Sequence, residues 1–389
     1  MLLSMKIRLK PTKEQEKLFW KSAGTARWAY NFYLSESRRH YFEYTQGDHK
    51  HPYIQESEVR KYINNTLKKS THGWLKDIGC NVVKQAVRDA DTAMKRYLRG
   101  ISNKPRFKSR HQSKNSFYVN YETLRRTKNG FRGEKMKVVK TVMPLPKLKK
   151  GQKYSNPRIS HDGNYWYLSI SYPFEKIKVN LTKESLGIDV GVKDLAVCSN
   201  GKIYKNINNE ASIKRLEKKL KREQRKMARK YSANIKDYTA HRKPIYKKPI
   251  YQMKNILKQK KIIRNLYKKL NDIRQNYLHQ VSSEIVRNKP SRIVMENLNI
   301  KGMMKNKYLS KAIAQQKLYE FKRQIKYKSV KYGIEFVEAS RWYPSSKSCS
   351  NCGKIKSKLP LEERIFFCEC GLVINRDYNA SINLANYSN

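Results

Sequence analysis

The 389 residues predict a multidomain α/β protein, in which a front β-domain is split by helices and the rear half mixes strands and helices. Three observations carry this. Short runs of alternating polar and apolar residues open the chain and return after residue 100, with helical periodicity between them. Two later apolar strands each carry a lone carboxylate near their end. Four of the six cysteines crowd between Cys349 and Cys370.

The bulk composition narrows the partners. With 86 Lys+Arg against 31 Asp+Glu the formal charge is +55, far more than solubility needs, and such a surface repels itself unless a polyanion neutralises it. Nucleic acid is the expected polyanion. No long apolar run, signal-peptide pattern or lipidation motif speaks for a membrane, so a soluble, cytoplasmic chain without a membrane partner is expected. A hydrophobic content of 39% is enough for folded cores. Six cysteines in a chain this long do not make a disulfide scaffold, and the isolated Cys80 and Cys198 read as small core residues.

From the beginning, Met5 to Lys10 alternates as a half-buried strand, and Thr12 with Gln15 has capping-box spacing, so a helix starts at Thr12. Leu18, Phe19, Ala23, Ala26, Tyr30 and Tyr33 recur at helical intervals. Asn81 to Leu98 repeats the pattern until Gly100 stops it, which makes a bundle of two to four helices. His49-Lys50-His51 reads as solvated loop. After Gly100 come the basic run Lys104 to Lys114 and then hairpin strands, such as Tyr165 to Tyr172 entered through Asp162-Gly163. The pattern is one β-domain interrupted by the bundle. Arg106, Lys108 and Arg110 around Phe107 mix phosphate-reaching cations with a ring that can stack on bases, and are candidate nucleic-acid contacts.

The second half carries the chemistry. In Ser185 to Cys198, alternation puts Leu186, Ile188 and Val190 on one strand face and Gly187, Asp189 and Gly191 on the other. Two flanking glycines would leave open space above Asp189 for a metal ion and a phosphate. The strand Ser291 to Leu298 carries Glu296, another acid in apolar company, and burying it unpaired would cost several kcal/mol. Asp377 precedes a plausible helix, and alone would be read as its N-cap. Together the three suggest the RNase H-like fold, where two strands and a C-terminal helix each bring a carboxylate to a pair of Mg²⁺ ions that act on a phosphodiester.

Between the first two acids, Glu210 to Asn288 is mostly helical. Lys214 to Lys230 holds ten Lys/Arg against two Glu, a run whose like charges repel unless phosphates neutralise them. A second long helix spans Tyr251 to Arg287, with the proline-bearing stretch Tyr231 to Pro249 separating the two. Cys349, Cys352, Cys368 and Cys370 supply four soft ligands for a tetrahedral structural Zn²⁺. The second pair is C-x-C, which reads as two same-side residues of a strand with no knuckle turn.

These runs, GIDVGVKDLAV, MENL, SSKSCSNCG, CECG and NRDYNASINLA, together with the N-terminal KIRLKPTKEQEKLFW, resemble the TnpB family of transposon-encoded proteins, ancestral to the type V CRISPR effectors. The resemblance covers nearly the whole chain. It implies an RNA-guided DNA endonuclease built from a wedge-like, β-barrel-like domain (1–11 with 101–180), a helical recognition domain (12–100), an RNase H-like RuvC nuclease domain (181–341 with 372–389) and a zinc-ribbon-like insert (342–371). Implied with it are RuvC acids Asp189, Glu296 and Asp377 holding two Mg²⁺, zinc on Cys349, Cys352, Cys368 and Cys370, a guide RNA from the transposon end, a double-stranded DNA target, and a monomer in the ribonucleoprotein. Two other readings share parts of this pattern: an RNA-guided DNA-binding regulator or transposition accessory that does not cut, and a transposase or resolvase that works without RNA.

Overall fold

The computed structural model describes residues 2–110, 113–360 and 362–388. It divides into two compact units that meet in sequence between Glu175 and Lys176.

In the first unit, β1 (Leu2–Lys10) leads into α1 (Lys13–Thr45), α2 (Glu56–Tyr62) and α3 (Cys80–Leu98). The strands β2 (Ser116–Tyr118), β3 (Arg125–Thr127), β4 (Gly130–Gly133), β5 (Met136–Thr141), β6 (Ser155–His161) and β7 (Trp166–Pro173) follow. They form one antiparallel sheet of order β2-β6-β7-β1-β5-β4-β3, in which β1 pairs with β7 along Leu2 to Arg8 and with β5 at Leu9 and Lys10. Among the described residues β2 and β3 are free edges. The barrel-like closure expected from the sequence is therefore absent, because the two short outer strands do not reach each other.

Helix α1 begins as predicted: Thr12 accepts from the Gln15 N–H while the Gln15 side chain accepts from the Thr12 N–H, the reciprocal bonds of a capping box. Its Phe19 is fully buried against Trp166, ring centroids 5.2 Å apart, which fastens the bundle to β7. Ala23, Ala26, Ala86 and Ala90 are buried where α1 and α3 approach closely. Cys80, expected in the core, is instead exposed at the start of α3.

The second unit runs β8 (Ser185–Asp189), β9 (Asp194–Cys198), β10 (Ile203–Lys205), α4 (Ala211–Ser232), β11 (Ile235–Tyr238), β12 (Pro244–Tyr246), α5 (Lys254–Arg287) and β13 (Arg292–Glu296). After it come α6 (Ile300–Met303), α7 (Ser310–Gln316), α8 (Leu318–Tyr332), β14 (Glu335–Ala339), β15 (Ile365–Phe367), β16 (Val373–Asn375) and α9 (Arg376–Ala385). The stretch between the long basic helices is a hairpin, β11 with β12. The main sheet has the order β10-β9-β8-β13-β14, with β8, β13 and β14 parallel and β9 and β10 antiparallel.

This sheet is covered on both faces, as parallel strands require. On one face Leu186, Ile188, Ile293 and Met295 meet Val281 and Ile285 of α5 and Phe321 and Ile325 of α8. On the other, Val294, Val337 and Ala339 meet Leu384 of α9. The alternation read from the sequence of β8 therefore holds. Cys198 is buried in the first of these cores, as expected.

Candidate active site and cysteine centre

Asp189 is the last residue of β8 and Glu296 the last of β13. Their parallel register sets Ile188 against Met295, so the next residue on each strand is an acid, and both acids lie on the face away from the α5 and α8 core. Helix α9 crosses that same face. A Cβ on Gly187 would lie 2.0 Å from the Ser381 carbonyl oxygen and 2.4 Å from the Ala385 nitrogen. Gly187 therefore does not leave open space above Asp189; it lets the α9 backbone lie directly on β8. Ser185 Oγ donates to the Ala385 carbonyl at 2.7 Å and secures the far end of the helix.

That approach brings Asp377 to the other two acids. Asp377 is not the N-cap of α9: Asn375 takes that role, its side chain accepting from the N–H of Asp377 at 3.0 Å and of Tyr378 at 3.1 Å. The Asp377 carboxylate is released from capping. Burial raises the Asp189 pKa well above the usual carboxylate range, and the charges of Glu296 and Asp377 push the same way against Arg376 and the Val190 N–H. Burial also raises Glu296, with Asp377 adding to it, while the Ser345 hydroxyl donating at 2.5 Å and the charge of Arg376 pull it back.

Three convergent carboxylates, with the proton affinity of Asp189 and Glu296 raised, are hard oxygen donors in need of cationic charge, and a divalent ion fits them. They are more widely spread than a single tight cage. Among the described residues, the four cysteines and the trio His40, Glu43 and His49 are the groups whose ligand atoms all lie within 4.8 Å of one another.

The cysteines sit on two similar turns. In the first, Cys349 N–H bonds to the Lys354 carbonyl at 2.9 Å and Gly353 N–H to the Cys349 carbonyl at 3.0 Å, with Gly353 at φ +76°. In the second, Cys368 N–H bonds to the Leu372 carbonyl at 2.9 Å and Gly371 N–H to the Cys368 carbonyl at 3.0 Å, with Gly371 at φ +88°. C-x-C is thus the turn of the β15–β16 hairpin and not an extended strand, a correction to the sequence reading; left-handed Gly371 allows it. Cys349 and Cys370 sulfurs are 3.6 Å apart, as are those of Cys352 and Cys368. Four sulfurs about 2.3 Å from one tetrahedral ion would be about 3.8 Å apart, so zinc fits, whereas a disulfide needs about 2.05 Å. The Leu372 N–H, then the Asn351 amide, hold the Cys370 thiol down to about 6, favouring the thiolate that a metal requires.

The cysteine turns are tied to the acids through α9. Buried Asn379 donates to the Ser348 carbonyl at 2.7 Å and accepts from the Ser350 N–H at 3.0 Å, and Asn383 donates to the carbonyls of Ser345 and Ser348 at 2.7 Å. These asparagines, Ser345 and Arg376 were not singled out from sequence. Two asparagines four residues apart inside a helix, where asparagine is a poor former, were the available signal.

The basic candidates differ among themselves. Arg106 and Arg110 are exposed. Lys108 turns inward, its ammonium 3.4 Å from the Tyr30 ring centroid and its backbone held on both sides by Asn31, and burial lowers its pKa. His111 and Gln112 of this run lie outside the described residues.

Three family models match: one described as a helix-turn-helix domain of OrfB proteins over residues 1–46, one described as "Probable transposase", OrfB_IS605, over 169–307, and the TNB domain of Cas12f1-like proteins over 319–384. In these stretches the chain is similar to the TnpB family, the OrfB proteins of IS605. Where the helix-turn-helix model matches, this chain has a strand and one unbroken helix, α1. Similar proteins include "Putative RNA-guided DNA endonuclease" of Streptomyces pristinaespiralis, 28% identical over 98% of this chain and 88% of that one. "Putative RNA-guided DNA endonuclease InsQ" of Escherichia coli K12 is 26% identical over 98% and 91%. Among solved structures, Cas12f1 in a complex with sgRNA and target DNA shares the fold at a TM-score of 0.55 and 16% identity, covering 99% of each chain.

Proposed function

We propose that this protein is an RNA-guided DNA endonuclease encoded by a transposon, cutting double-stranded target DNA beside a short flanking motif with a single RuvC-type site. The observation that carries this reading is the meeting of Asp189, Glu296 and Asp377, where burial, and after it the neighbouring carboxylates, raises the proton affinity of the first two. The names of the full-length relatives support the RNA-guided part. The sheet order, with three parallel strands, an antiparallel pair and a helix crossing the acid-bearing face, supports the RNase H-like assignment.

In this reading Asp189, Glu296 and Asp377 hold two Mg²⁺ ions, which when bound supply a more acidic water and neutralise charge on the leaving oxygen. The chain's own groups do the positioning. Ser345 orients Glu296, Asn375 frees Asp377 from capping, and Gly187 sets the depth of α9. Zinc on Cys349, Cys352, Cys368 and Cys370 is structural, holding the hairpin whose second strand, β16, runs directly into α9.

Guide RNA and target DNA need phosphate contacts. A groove of about 550 Å³ among α4, α5 and α7, where Lys214, Lys218, Lys221 and Lys311 surround Arg274 paired with Glu217 at 2.6 Å, is suited to a backbone, and exposed Arg106 and Arg110 add to the basic surface of the first unit. We assign the segments 1–11 with 101–180, 12–100, 181–341 with 372–389, and 342–371 to wedge, recognition, RuvC and zinc-binding roles in a monomeric ribonucleoprotein.

The test is to express the protein with its native downstream DNA, sequence the RNA that co-purifies, and offer the complex a plasmid library with a randomised flank beside the guide's target in Mg²⁺. Depletion of one flank by the wild type and not by Asp189→Ala is the expected result. Bound RNA and target binding without cuts would replace this reading with a regulator, and cutting that survives RNase treatment would replace it with an RNA-independent nuclease.

A further inference from the structure

The end of α1 gathers a second set of metal-ligand side chains, far in sequence from both centres above. Thr45 closes the helix, and Gly47 at φ +90° reverses the chain: its N–H bonds to the Tyr44 carbonyl at 3.0 Å while the Asp48 N–H reaches the Glu43 carbonyl at 3.0 Å. This is the Schellman pattern of helix termination. It folds His49 back onto the helix face that carries His40 and Glu43, three residues apart. In a stretch where residues 41, 42, 44–48, 50 and 51 are exposed, these three are half-buried. His49 is therefore not the freely solvated loop residue expected from sequence.

The donors are already oriented. Arg39 donates to Glu43 Oε1 at 2.8 Å, and the other oxygen, Oε2, faces His49 Nε2 at 2.9 Å. The rings of His40 and His49 stack with centroids 4.0 Å apart. His40 Nε2 donates to the His51 carbonyl at 2.9 Å, which fixes the tautomer and leaves Nδ1 with its lone pair free. A ring held through one nitrogen by a carbonyl, with the other nitrogen available, is the usual state of a metal-ligating histidine. One ligand atom from each of the three residues falls within 4.8 Å of the others.

We propose that His40, Glu43 and His49 form a binding site for a divalent transition ion of the zinc, cobalt or nickel class. Two imidazoles and a carboxylate suit that class, while Mg²⁺ prefers oxygen ligands throughout. On binding, the hydrogen bond between His49 and Glu43 is exchanged for two bonds to the ion, and His49 swings out of its stack. The ion clips the loop after α1 to the helix end.

The experiment is a Co²⁺ titration of the chelator-stripped full chain, followed by absorption. Cobalt on the four cysteines produces strong sulfur-to-metal charge-transfer bands, and cobalt on nitrogen and oxygen ligands produces only weak visible bands. The wild type is expected to take up a further equivalent of the second kind, displaced by Zn²⁺ and not by Mg²⁺. His40→Ala and His49→Gln, with unchanged far-ultraviolet circular dichroism, are expected to lose that equivalent and keep the charge-transfer bands. Asp189→Ala is expected to keep both. Uptake limited to the charge-transfer site, or a further equivalent that disappears in Asp189→Ala and persists in the histidine variants, would overturn the proposal.

Discussion

Replacing Gly187 by alanine adds one methyl group at the most closely packed glycine of the second unit. That carbon would meet the Ser381 oxygen at 2.0 Å and the Ala385 nitrogen at 2.4 Å, where ordinary contact begins at 3.4 Å, a shortfall of about 1.4 Å. Both opposing atoms are helix backbone, so no rotamer change relieves the clash, and α9 must lift from β8 or the strand must bend. Overpacking costs ~1–3 kcal/mol, and a main-chain clash belongs at the upper end, ~2–3 kcal/mol. Lifting α9 also carries Asp377 away from Asp189 and Glu296, and a misplacement of about 1 Å in a reacting constellation costs ~10²-fold in rate. Urea denaturation gives the first quantity and plasmid cleavage by the ribonucleoprotein the second. Gly191→Ala is the stability control, since its added carbon meets only the Asp194 oxygen at 3.4 Å, and its loss should stay below ~1 kcal/mol. If Gly187→Ala were as stable as Gly191→Ala and cut at the wild-type rate, the account of why α9 reaches the acids would be wrong.

Asn379→Ala removes a fully buried side chain and leaves the half-buried Ser350 N–H without its acceptor and the Ser348 carbonyl without one of its donors, so we expect a loss of ~1–3 kcal/mol in urea denaturation together with weaker zinc retention in a chelator challenge; unchanged values would show that α9 does not brace the cysteine turns. The double variant Cys349→Ser, Cys352→Ser should lose bound zinc and cleavage, with no change in which divalent ion supports any residual cutting; wild-type activity would remove zinc from the argument. The third expectation concerns pH. Lys328 donates to the His279 carbonyl and to the hydroxyls of Ser282 and Ser283, yet burial, reinforced by Lys331, pulls its ammonium from 10.5 down to about 8. Between those values the unfolded chain binds the extra proton, so stability rises with pH: the penalty is fully present below pH 8 and fades towards 10.5. Denaturation midpoints at pH 7.5 and 9.5 should therefore diverge more for the wild type than for Lys328→Met, and parallel profiles would refute the assignment.

What could be read from the sequence was mostly local. The Thr12–Gln15 capping box and the two faces of β8 depend on neighbours within a few positions, and each was legible. Gly187 shows the limit. Its alternation partner Asp189 was correctly placed, but what lies over it comes from a helix nearly two hundred residues away, so the glycine was assigned to ligand space instead of helix contact. The open edges β2 and β3 were equally out of reach, because closure of a sheet is decided by non-local pairing. Cys368 and Cys370 were assigned to a strand by their spacing, although Gly371 carried the turn signal that the structure uses. His49 reads as solvated loop from its immediate neighbours, because His40 and Glu43 lie on the preceding helix and only the reversal at Gly47 brings the three together.

Asp189 and Asp377 are separated by 188 positions, so the berth that Gly187 leaves on β8 is made long before the helix that fills it. A ribosome adding about 5–20 residues per second needs about 10–40 s to cross that gap. During that time α4 and α5, with their lysines and arginines, have already emerged, whereas the third carboxylate does not yet exist. Under the proposed function, a nascent chain would gather RNA before it could cut anything, and the order of events would be set by where the last acid is written in the message.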